Sequence, residues 1–225
     1  MDQDDRIAAA LQWMSVHGVE LLIACSSGLH MPDRPDPVAH VSGYRSLGES
    51  FFLLHGDGTS KLIVSPATDK ERLACHSGRQ ACIARDNLEE TLTQELGDCG
   101  LTGAQISIVG IDAMPHLFAE QLHAQHKGAA ITLDDSFYRA SGRKTAVEIA
   151  RARRAAAIAQ KGLERLLQLA CPGMRECDLA VELKLYMESL GADDNFLMLC
   201  ASPHNPAVMP RILPGLSMPR ISPRS

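Results

Sequence analysis

Few side chains in this sequence combine a residue type and a spacing that suit substrate binding or metal binding. His204 lies in a Ser-Pro-His-Asn-Pro segment, where its imidazole either contacts a substrate or is a solvent-exposed loop side chain. His123 and His126 stand one helical turn apart, a spacing that suits two ligands of one metal ion. A structural metal site takes four ligands, so this pair by itself favours an exposed helix face. Tyr44 and Arg45, adjacent in a Gly-Tyr-Arg segment, are the third candidate.

Carboxylates suited to hard divalent ions are sparse towards the carboxyl end. Asp193 and Asp194 are adjacent, and a short turn after Gly191 explains them as a solvated pair. After Pro210 the sequence contains no Asp, Glu or His. Hydrolytic metal sites need these oxygen and nitrogen ligands. The residues after Pro210 therefore predict no metal site of their own.

Composition argues against several classes of protein. The formal net charge is −5, whereas nucleic-acid-binding domains usually carry a basic surface, so no nucleic-acid partner is expected. The sequence has no apolar run long enough to span a bilayer, and its acidic start is unlike a secretory signal. The seven cysteines lack paired spacing and predict neither a disulfide framework nor a zinc site. We therefore expect a cytoplasmic protein with no membrane partner.

The first part of the chain alternates strand and helix patterns, which predicts an α/β sheet domain. Residues 2–17 have helical periodicity, and residues 20–25 form a continuous apolar strand of the kind that is covered on both faces. A hairpin is predicted from strands at 50–55 and 61–65, which flank a Gly-Asp-Gly turn. The remaining predicted elements are a helix at 87–96, a strand at 106–110, a helix near 114–126 and a strand at 129–133.

A long helix is predicted over residues 144–170. Thr145 and Glu148 have the spacing of a capping box at its start. Its apolar residues recur at alternating spacings of three and four, which predicts one apolar stripe, formed by Ile149, Ala152, Ala156, Ala159, Leu163 and Leu166. The basic residues near its start, Arg143, Lys144, Arg151, Arg153 and Arg154, predict a solvated face.

A Pro-Gly turn at 172–173 ends this helix, because proline cannot continue the hydrogen-bond ladder. A second helix is predicted over 175–190 and ends at Gly191. The apolar run 196–200 then predicts a buried strand that leads into the loop of His204.

The order and spacing of these segments resemble the Xaa-Pro peptidase and creatinase family, the pita-bread metallopeptidases. The family's (K/R)-(S/T)-x-x-E-(I/L) helix start is matched by residues 144–149, and its PG-x-(T/S)-E turn by 172–176. Arg175 stands where the family has a hydroxyl residue and predicts a weaker helix N-cap. In the first part, residues 40–44 match (Y/H)-x-(T/S)-G-(Y/F), and 106–112 match a strand ending (I/V)-G-x-(D/E).

This resemblance covers almost the whole chain and implies its fold class and domains. It implies an α/β creatinase-type amino-terminal domain, a mixed sheet flanked by helices, over residues 1–140. It also implies the first helices and strand of a pita-bread peptidase domain over 141–210. The density of proline over 211–225 predicts an irregular tail.

The resemblance further implies a metal-dependent hydrolase that acts on Xaa-Pro peptides or on a small amide such as creatine. Full-length relatives are expected to hold two divalent metals (Mn, Co or Zn) on two Asp, one His and two Glu ligands. In the family these ligands follow the Pro-His loop, where this chain has none. We therefore expect a truncated chain that lacks the ligands, holds no cofactor of its own and is inactive.

The resemblance also assigns roles to the candidate side chains. It implies that His204 contacts substrate near the metals. It implies that Tyr44 and Arg45 bind substrate in a neighbouring subunit's active site, where the Arg45 guanidinium is able to bind a substrate carboxylate through two hydrogen bonds. A surface ion pair is the alternative for Arg45.

Two functions stay open at this point: a peptidase-type hydrolase in an incomplete chain, and a non-catalytic module for dimerisation or substrate gating. The helices at 144–170 and 175–190 present apolar faces, and the pita-bread sheet that covers them in relatives is absent. Exposed apolar surface favours burial, so we expect a homo-oligomer or a self-associating chain.

Overall fold

The computed structural model describes residues 2–28, 36–76, 81–99, 105–114 and 136–193, together with residues 116, 119–120, 124, 130–131, 197 and 199. The chain divides into two compact units between Thr145 and Ala146. Among the described residues, no helix is both long enough and apolar enough to cross a membrane.

The first unit is a mixed sheet with helices on both of its faces. Its helices are α1 (Asp2–His17), α2 (Pro37–Ser42), α3 (Lys70–Ala74), α4 (Leu88–Cys99) and α5 (Ser136–Ser141). Its strands are β1 (Leu21–Ser26), β2 (Ser50–His55), β3 (Ser60–Val64), β4 (Ala81–Ala84), β5 (Ile106–Val109) and β6 (Ala130–Ile131). Short 3₁₀ turns at Ala67–Asp69 and Ile111–Ala113 complete the described elements.

The six strands lie in the order β4-β3-β2-β1-β5-β6. The predicted hairpin is present as the antiparallel pair β2–β3, and β1 also runs antiparallel to β2. The pairs β1–β5, β3–β4 and β5–β6 are parallel. The prediction of a mixed sheet flanked by helices is therefore confirmed.

The central strand β1 has a continuous apolar sequence because both of its faces are covered. On one face, Leu22 and Ala24 pack with Trp13 of α1 and Phe137 of α5. On the other face, Leu21 and Ile23 belong to the cluster that contains the buried leucines of α4, Leu88, Leu92 and Leu96.

The longest and most regular elements match their sequence-based predictions, whereas several short ones were missed. The bounds of α1 and β2 agree to the residue with the predicted ranges 2–17 and 50–55. The elements α2, α3, β4 and α5 were not predicted, and each of them has six residues or fewer. Most of the predicted helix 114–126 and most of the predicted strand 196–200 lie outside the described residues. Leu197 and Leu199, which are described, are not in a strand.

In the second unit, the described residues form two helices, α6 (Ala146–Leu169) and α7 (Glu176–Ser189), which pack on each other and are joined through the Pro-Gly turn. The backbone of Gly173 has φ +89°, a left-handed conformation that glycine adopts without steric cost. Leu179, Leu183 and Met187 are the buried apolar side chains of α7. Both helices were predicted, and their bounds differ from the predicted ones by one or two residues.

Gly162 allows close approach of α6 to α7. It is buried, and a Cβ atom placed on it would lie 2.7 Å from Sδ of Met187. Nearby, the guanidinium carbon of Arg165 lies 5.7 Å from the centroid of the Tyr186 ring. A larger residue at position 162 would therefore require Met187 to move.

The start of α7 confirms the predicted weak cap. The side chain of Arg175 makes no capping hydrogen bond to the backbone of the helix. It donates instead to both carboxylate oxygens of Asp178, over 2.7 and 2.6 Å. This pairing raises the pKa of Arg175 and lowers the pKa of Asp178, mainly through the hydrogen bonds between the two side chains.

Candidate functional site

The segment around Tyr44 and Arg45 begins at the end of α2, which is capped at both ends. At the amino end, the carboxylate of Asp36 accepts hydrogen bonds from the Ala39 amide (2.9 Å) and the Ser26 hydroxyl (3.0 Å). At the carboxyl end, Gly43 has φ +71°, and its amide donates to the carbonyl of Ala39 over 3.0 Å. The left-handed residue turns the chain out of the helix directly before Tyr44.

The backbone of Tyr44 is fixed by the last residue of α2. The Ser42 hydroxyl donates to the carbonyl of Val38 over 2.7 Å and accepts from the Tyr44 amide over 3.1 Å. The carbonyl of Ser42 accepts a hydrogen bond from Nε2 of His76 over 3.1 Å. Ser42 is fully buried, so these bonds satisfy polar groups that have no access to water.

A buried carboxylate anchors the residues that follow. Asp69 is fully buried, and its two oxygens accept from Nη1 of Arg72 (2.9 Å) and from the Leu47 amide (3.2 Å). Arg72 also donates from Nη2 to the carbonyl of Arg45 over 3.0 Å. Asp69 and Arg72 therefore hold the backbone of residues 45–47 beside the amino-terminal end of α3.

Tyr44 is a buried side chain of the apolar core whose ring also meets two polar side chains. Only 6% of its surface is exposed, the Arg72 guanidinium lies 5.5 Å from the centroid of its ring, and the His76 ring packs edge-on at 5.1 Å. Its hydroxyl forms no hydrogen bond of ordinary geometry within the described structure. Burial, followed by the nearby Asp69 carboxylate, raises the pKa of Tyr44 to about 12. The phenol is therefore neutral at pH 7 and poorly suited to proton transfer there.

Arg45 differs from Tyr44 in that its side chain is exposed. It forms no ion pair with any described residue, so the expected alternative of a surface ion pair is not seen in this part of the chain. Its guanidinium extends from a backbone that Arg72 holds in place. This arrangement suits the binding of an anionic group such as a carboxylate.

A second group of polar side chains lies near the carboxyl ends of the parallel strands β1 and β5. Burial, with a smaller contribution from Asp112, raises the pKa of both the Cys25 thiol and the Tyr138 phenol above their usual ranges. Asp36 also contributes to the shift at Tyr138. Because both groups stay protonated at neutral pH, neither is an activated nucleophile.

The described residues do not fit the two-metal centre expected of full-length relatives. No group of three or more His, Cys, Asp or Glu side chains in the described ranges could hold a metal ion. Asp193 is described and exposed. His123, His126, Asp194 and His204 lie outside the described residues.

Asp69 and Arg72 were not predicted from the sequence to be part of this site. Their spacing of three residues is a weak signal for an ion pair at a helix start. The helix α3 that carries Arg72 has only five residues and no periodic pattern, so its position was not predicted. The roles predicted for Tyr44, Arg45 and His204 stay predictions.

Comparison with known proteins connects this fold to peptidases. No protein-family model matches the sequence, and no curated protein matches it. Among solved structures, an Xaa-Pro dipeptidase from Bacillus anthracis is similar with a TM-score of 0.71 and 15% identity, over 98% of this chain and 58% of that one. The chain has the fold of the amino-terminal part of such peptidases. The resemblance found in the sequence is thus confirmed at the level of the fold.

Two further structures agree with this result. A prolidase from Pyrococcus furiosus has a TM-score of 0.70 and 20% identity, over 96% of this chain and 62% of that one. An X-Pro aminopeptidase from Thermotoga maritima has a TM-score of 0.67 and 16% identity, over 83% of this chain and 50% of that one. The chain therefore spans about half to three fifths of the length of these structures.

Proposed function

We propose that this chain is a member of the Xaa-Pro dipeptidase, aminopeptidase P and creatinase group of metal-dependent hydrolases, and that its 225 residues alone are inactive. The observation that carries the proposal is the fold it shares with an Xaa-Pro dipeptidase over 98% of the chain. The same proposal includes domain boundaries at residues 140 and 210, a cytoplasmic location and a homo-oligomeric state.

The inactivity is proposed from the available ligands. Two-metal hydrolysis needs bridging carboxylates on rigid elements, with the ions about 3.5–4 Å apart. The described residues offer no group of three ligands, and the residues after Pro210 include no Asp, Glu or His. The loss of a single residue that hydrogen-bonds to a metal ligand already costs about 10–100-fold in metal affinity or activity, so a site short of direct ligands is not expected to bind a catalytic pair.

Within this proposal, Arg45 binds the terminal carboxylate of a peptide or the carboxylate of a small amide substrate, and His204 contacts the substrate beside the metals of a complete centre. The exposure of Arg45 and the anchoring of its backbone by Arg72 support its role. Tyr44 then positions Arg45, because its buried ring packs against the same Arg72 side chain. No feature of the described residues favours the alternative of a purely non-catalytic module.

The test is hydrolysis of an Xaa-Pro dipeptide and of creatine by the purified chain, with Mn²⁺, Co²⁺ or Zn²⁺ added. We expect no turnover above a chelator-treated control. Turnover that depends on metal would refute the inactivity and would support the hydrolase assignment. Binding of the dipeptide that is weakened by Arg45→Ala but not by Arg85→Ala would support the role of Arg45.

A further inference from the structure

Leu47 is a large apolar side chain that lies on the surface of the first unit. It is 60% exposed, and among the described residues of that unit only Val16, at 75%, is another large apolar side chain of high exposure. A singly exposed apolar side chain is common in proteins and has no meaning by itself. Leu47 differs from Val16 because it lies two positions after the exposed Arg45, in a segment whose backbone is held in place.

Hydrogen bonds fix the backbone of this segment at successive positions. Asp69 and Arg72 bind the backbone of residues 45–47. The Gly48 amide donates to the carbonyl of Ser65 over 2.9 Å, and a Cβ atom placed on Gly48 would lie 2.8 Å from Oγ of Ser65. The segment therefore lies directly against the residue that follows β3, and its exposed side chains extend from a fixed backbone.

Arg45 and Leu47 lie on the same side of the segment. Burial alternates over residues 44–47, since Tyr44 and Ser46 are only 6% and 4% exposed, whereas the two residues that follow them are exposed. This alternation is that of an extended backbone, in which side chains two positions apart share one face. The segment therefore presents a guanidinium group and an apolar isobutyl group next to each other.

We propose that Arg45 and Leu47 together bind the carboxyl-terminal residue of a peptide, and that Leu47 selects an apolar side chain on that residue. This inference rests on the proposed function, in which Arg45 binds a substrate carboxylate. In a carboxyl-terminal residue the carboxylate and the side chain branch from one Cα atom. A peptide that pairs with Arg45 therefore brings its last side chain towards Leu47. The fixed backbone lowers the conformational entropy that is lost on binding.

The same two side chains disfavour creatine. Creatine has a carboxylate, but it also carries a guanidinium group of its own and, apart from one N-methyl group, has no apolar part on the side that would meet Leu47. When its carboxylate pairs with Arg45, its guanidinium lies either near a like charge or against an apolar side chain, where it loses water without gaining a partner. Leu47 therefore favours peptides with an apolar last residue over the small amide.

The experiment is titration of the ¹⁵N-labelled full chain with dipeptides, followed by nuclear magnetic resonance through the backbone amides of residues 45–48. We expect Ala-Pro and Ala-Leu to bind with a Kd on the order of 1 mM. Ala-Asn, which has nearly the shape of Ala-Leu but a polar last side chain, should bind at least about fivefold more weakly, the effect of burying about one methylene group. Creatine and Ala-Leu amide, which lacks the carboxylate, should also bind at least about fivefold more weakly than Ala-Leu.

Three variants assign these effects to single residues. Leu47→Ala should remove the preference for Ala-Leu over Ala-Asn, whereas Arg45→Ala should weaken the binding of both dipeptides. Val16→Ala is the matched control, because it shortens an exposed apolar side chain on α1 and should leave both affinities unchanged. Urea unfolding establishes that the three exposed changes leave the fold intact.

The possible outcomes separate this inference from the proposed function. A preference for Ala-Leu that Leu47→Ala leaves unchanged, or equal binding of Ala-Leu and Ala-Asn that Arg45→Ala weakens, would overturn the role of Leu47 and leave the role of Arg45 intact. The absence of dipeptide binding, or binding that Arg45→Ala does not weaken, would overturn the roles of both residues. The hydrolase assignment depends on the turnover assay and is unaffected by either result.

Discussion

At the scale of single residues, the Asp69 carboxylate has the strongest structural connections in the candidate site. It is fully buried, it accepts from the Leu47 amide, and it pairs with Arg72, which in turn holds the carbonyl of Arg45. Half of the Arg72 side chain is exposed, so solvent screens part of the ion pair. The main contribution of Asp69 is therefore to satisfy the donors that point at it.

Replacement of Asp69 by alanine should lower the free energy of unfolding by about 2 kcal/mol, because the Leu47 amide and Arg72 lose their acceptor. Urea unfolding of the two proteins measures this change. Glu71→Ala, an exposed change in the same helix, is the control and should stay within about 0.5 kcal/mol of the native protein. An equal loss in both variants would mean that the buried carboxylate has no special role.

The raised pKa of Tyr44 predicts that part of the free energy of unfolding depends on pH. Its pKa in the folded chain is about 12, whereas an unfolded tyrosine titrates near about 10. Above pH 10 the folded state therefore keeps a proton that the unfolded state has lost. The stability due to this proton is complete below about pH 10 and is lost as the pH rises towards 12.

The variant Tyr44→Phe isolates this effect, since Tyr138 is unchanged in both proteins. At pH 7 the variant should be as stable as the native protein or more so, because the buried hydroxyl makes no regular hydrogen bond. Between pH 9 and pH 11 its free energy of unfolding should fall less steeply, as measured by urea unfolding at each pH. Parallel curves for the two proteins would contradict the raised pKa.

At the scale of elements, the packing of α6 on α7 depends on the absence of a side chain at position 162. In an open helix, Gly→Ala stabilises by about 1 kcal/mol. Here the added Cβ atom would approach Sδ of Met187 to 2.7 Å, so part of that gain is offset. We expect Gly162→Ala to stabilise the chain clearly more in a Met187→Ala background than in the native one.

Thermal unfolding of the four proteins in this cycle measures the coupling between the two positions. Ala159→Gly, on the exposed stripe of the same helix, is the control for helix propensity and should cost about 1 kcal/mol. An equal change in stability from Gly162→Ala in both backgrounds would contradict the close contact between Gly162 and Met187.

Helices and strands could be predicted from the sequence wherever a pattern of apolar residues repeats. The ranges of α1, α6 and β2 follow from periodicity and from long apolar runs. The short helix α2 depends on Asp36 and Gly43, whose partners are backbone groups or the distant Ser26 hydroxyl. Beside α3, the Asp69 carboxylate accepts from the Leu47 amide, which is distant in the sequence. Periodicity also predicted an apolar stripe on α6, but a pattern within one helix does not specify which surface covers it.

The same limit applies to the candidate site. The sequence placed Tyr44 and Arg45 side by side, yet the structure buries the first and exposes the second. The difference arises because Tyr44 meets Arg72 and His76, two residues of a segment about 30 positions later in the chain. Contacts of this kind depend on the register of β3 and β4 and have no local signature.

At the scale of the whole molecule, the first unit has a core of its own. Trp13 of α1 packs edge-on against Phe137 of α5, with 5.5 Å between the ring centroids, and both side chains are buried. A fragment of residues 1–142 should therefore fold independently, with a cooperative urea transition and resistance to proteolysis. A fragment that ends at residue 131 loses Phe137 and should unfold at a lower urea concentration.

The substitution Phe137→Ala in the longer fragment tests the same contact without changing its length. It should cost about 3–5 kcal/mol, as is usual for a fully buried phenylalanine. Phe137 was not predicted to be part of the core, so its effect is an independent test of the fold. A fragment 1–142 without a protected core would contradict the division of the chain into two units.

The chain has the fold of the amino-terminal part of Xaa-Pro peptidases, and the central proposal is that it holds no catalytic metal pair. Equilibrium dialysis of the purified chain against Mn²⁺, with the bound metal measured by mass spectrometry, tests it most directly. We predict well under one tightly bound ion per chain, because the described residues offer no group of three ligands. About two tightly bound ions per chain, the content of a two-metal hydrolase, would contradict the claim.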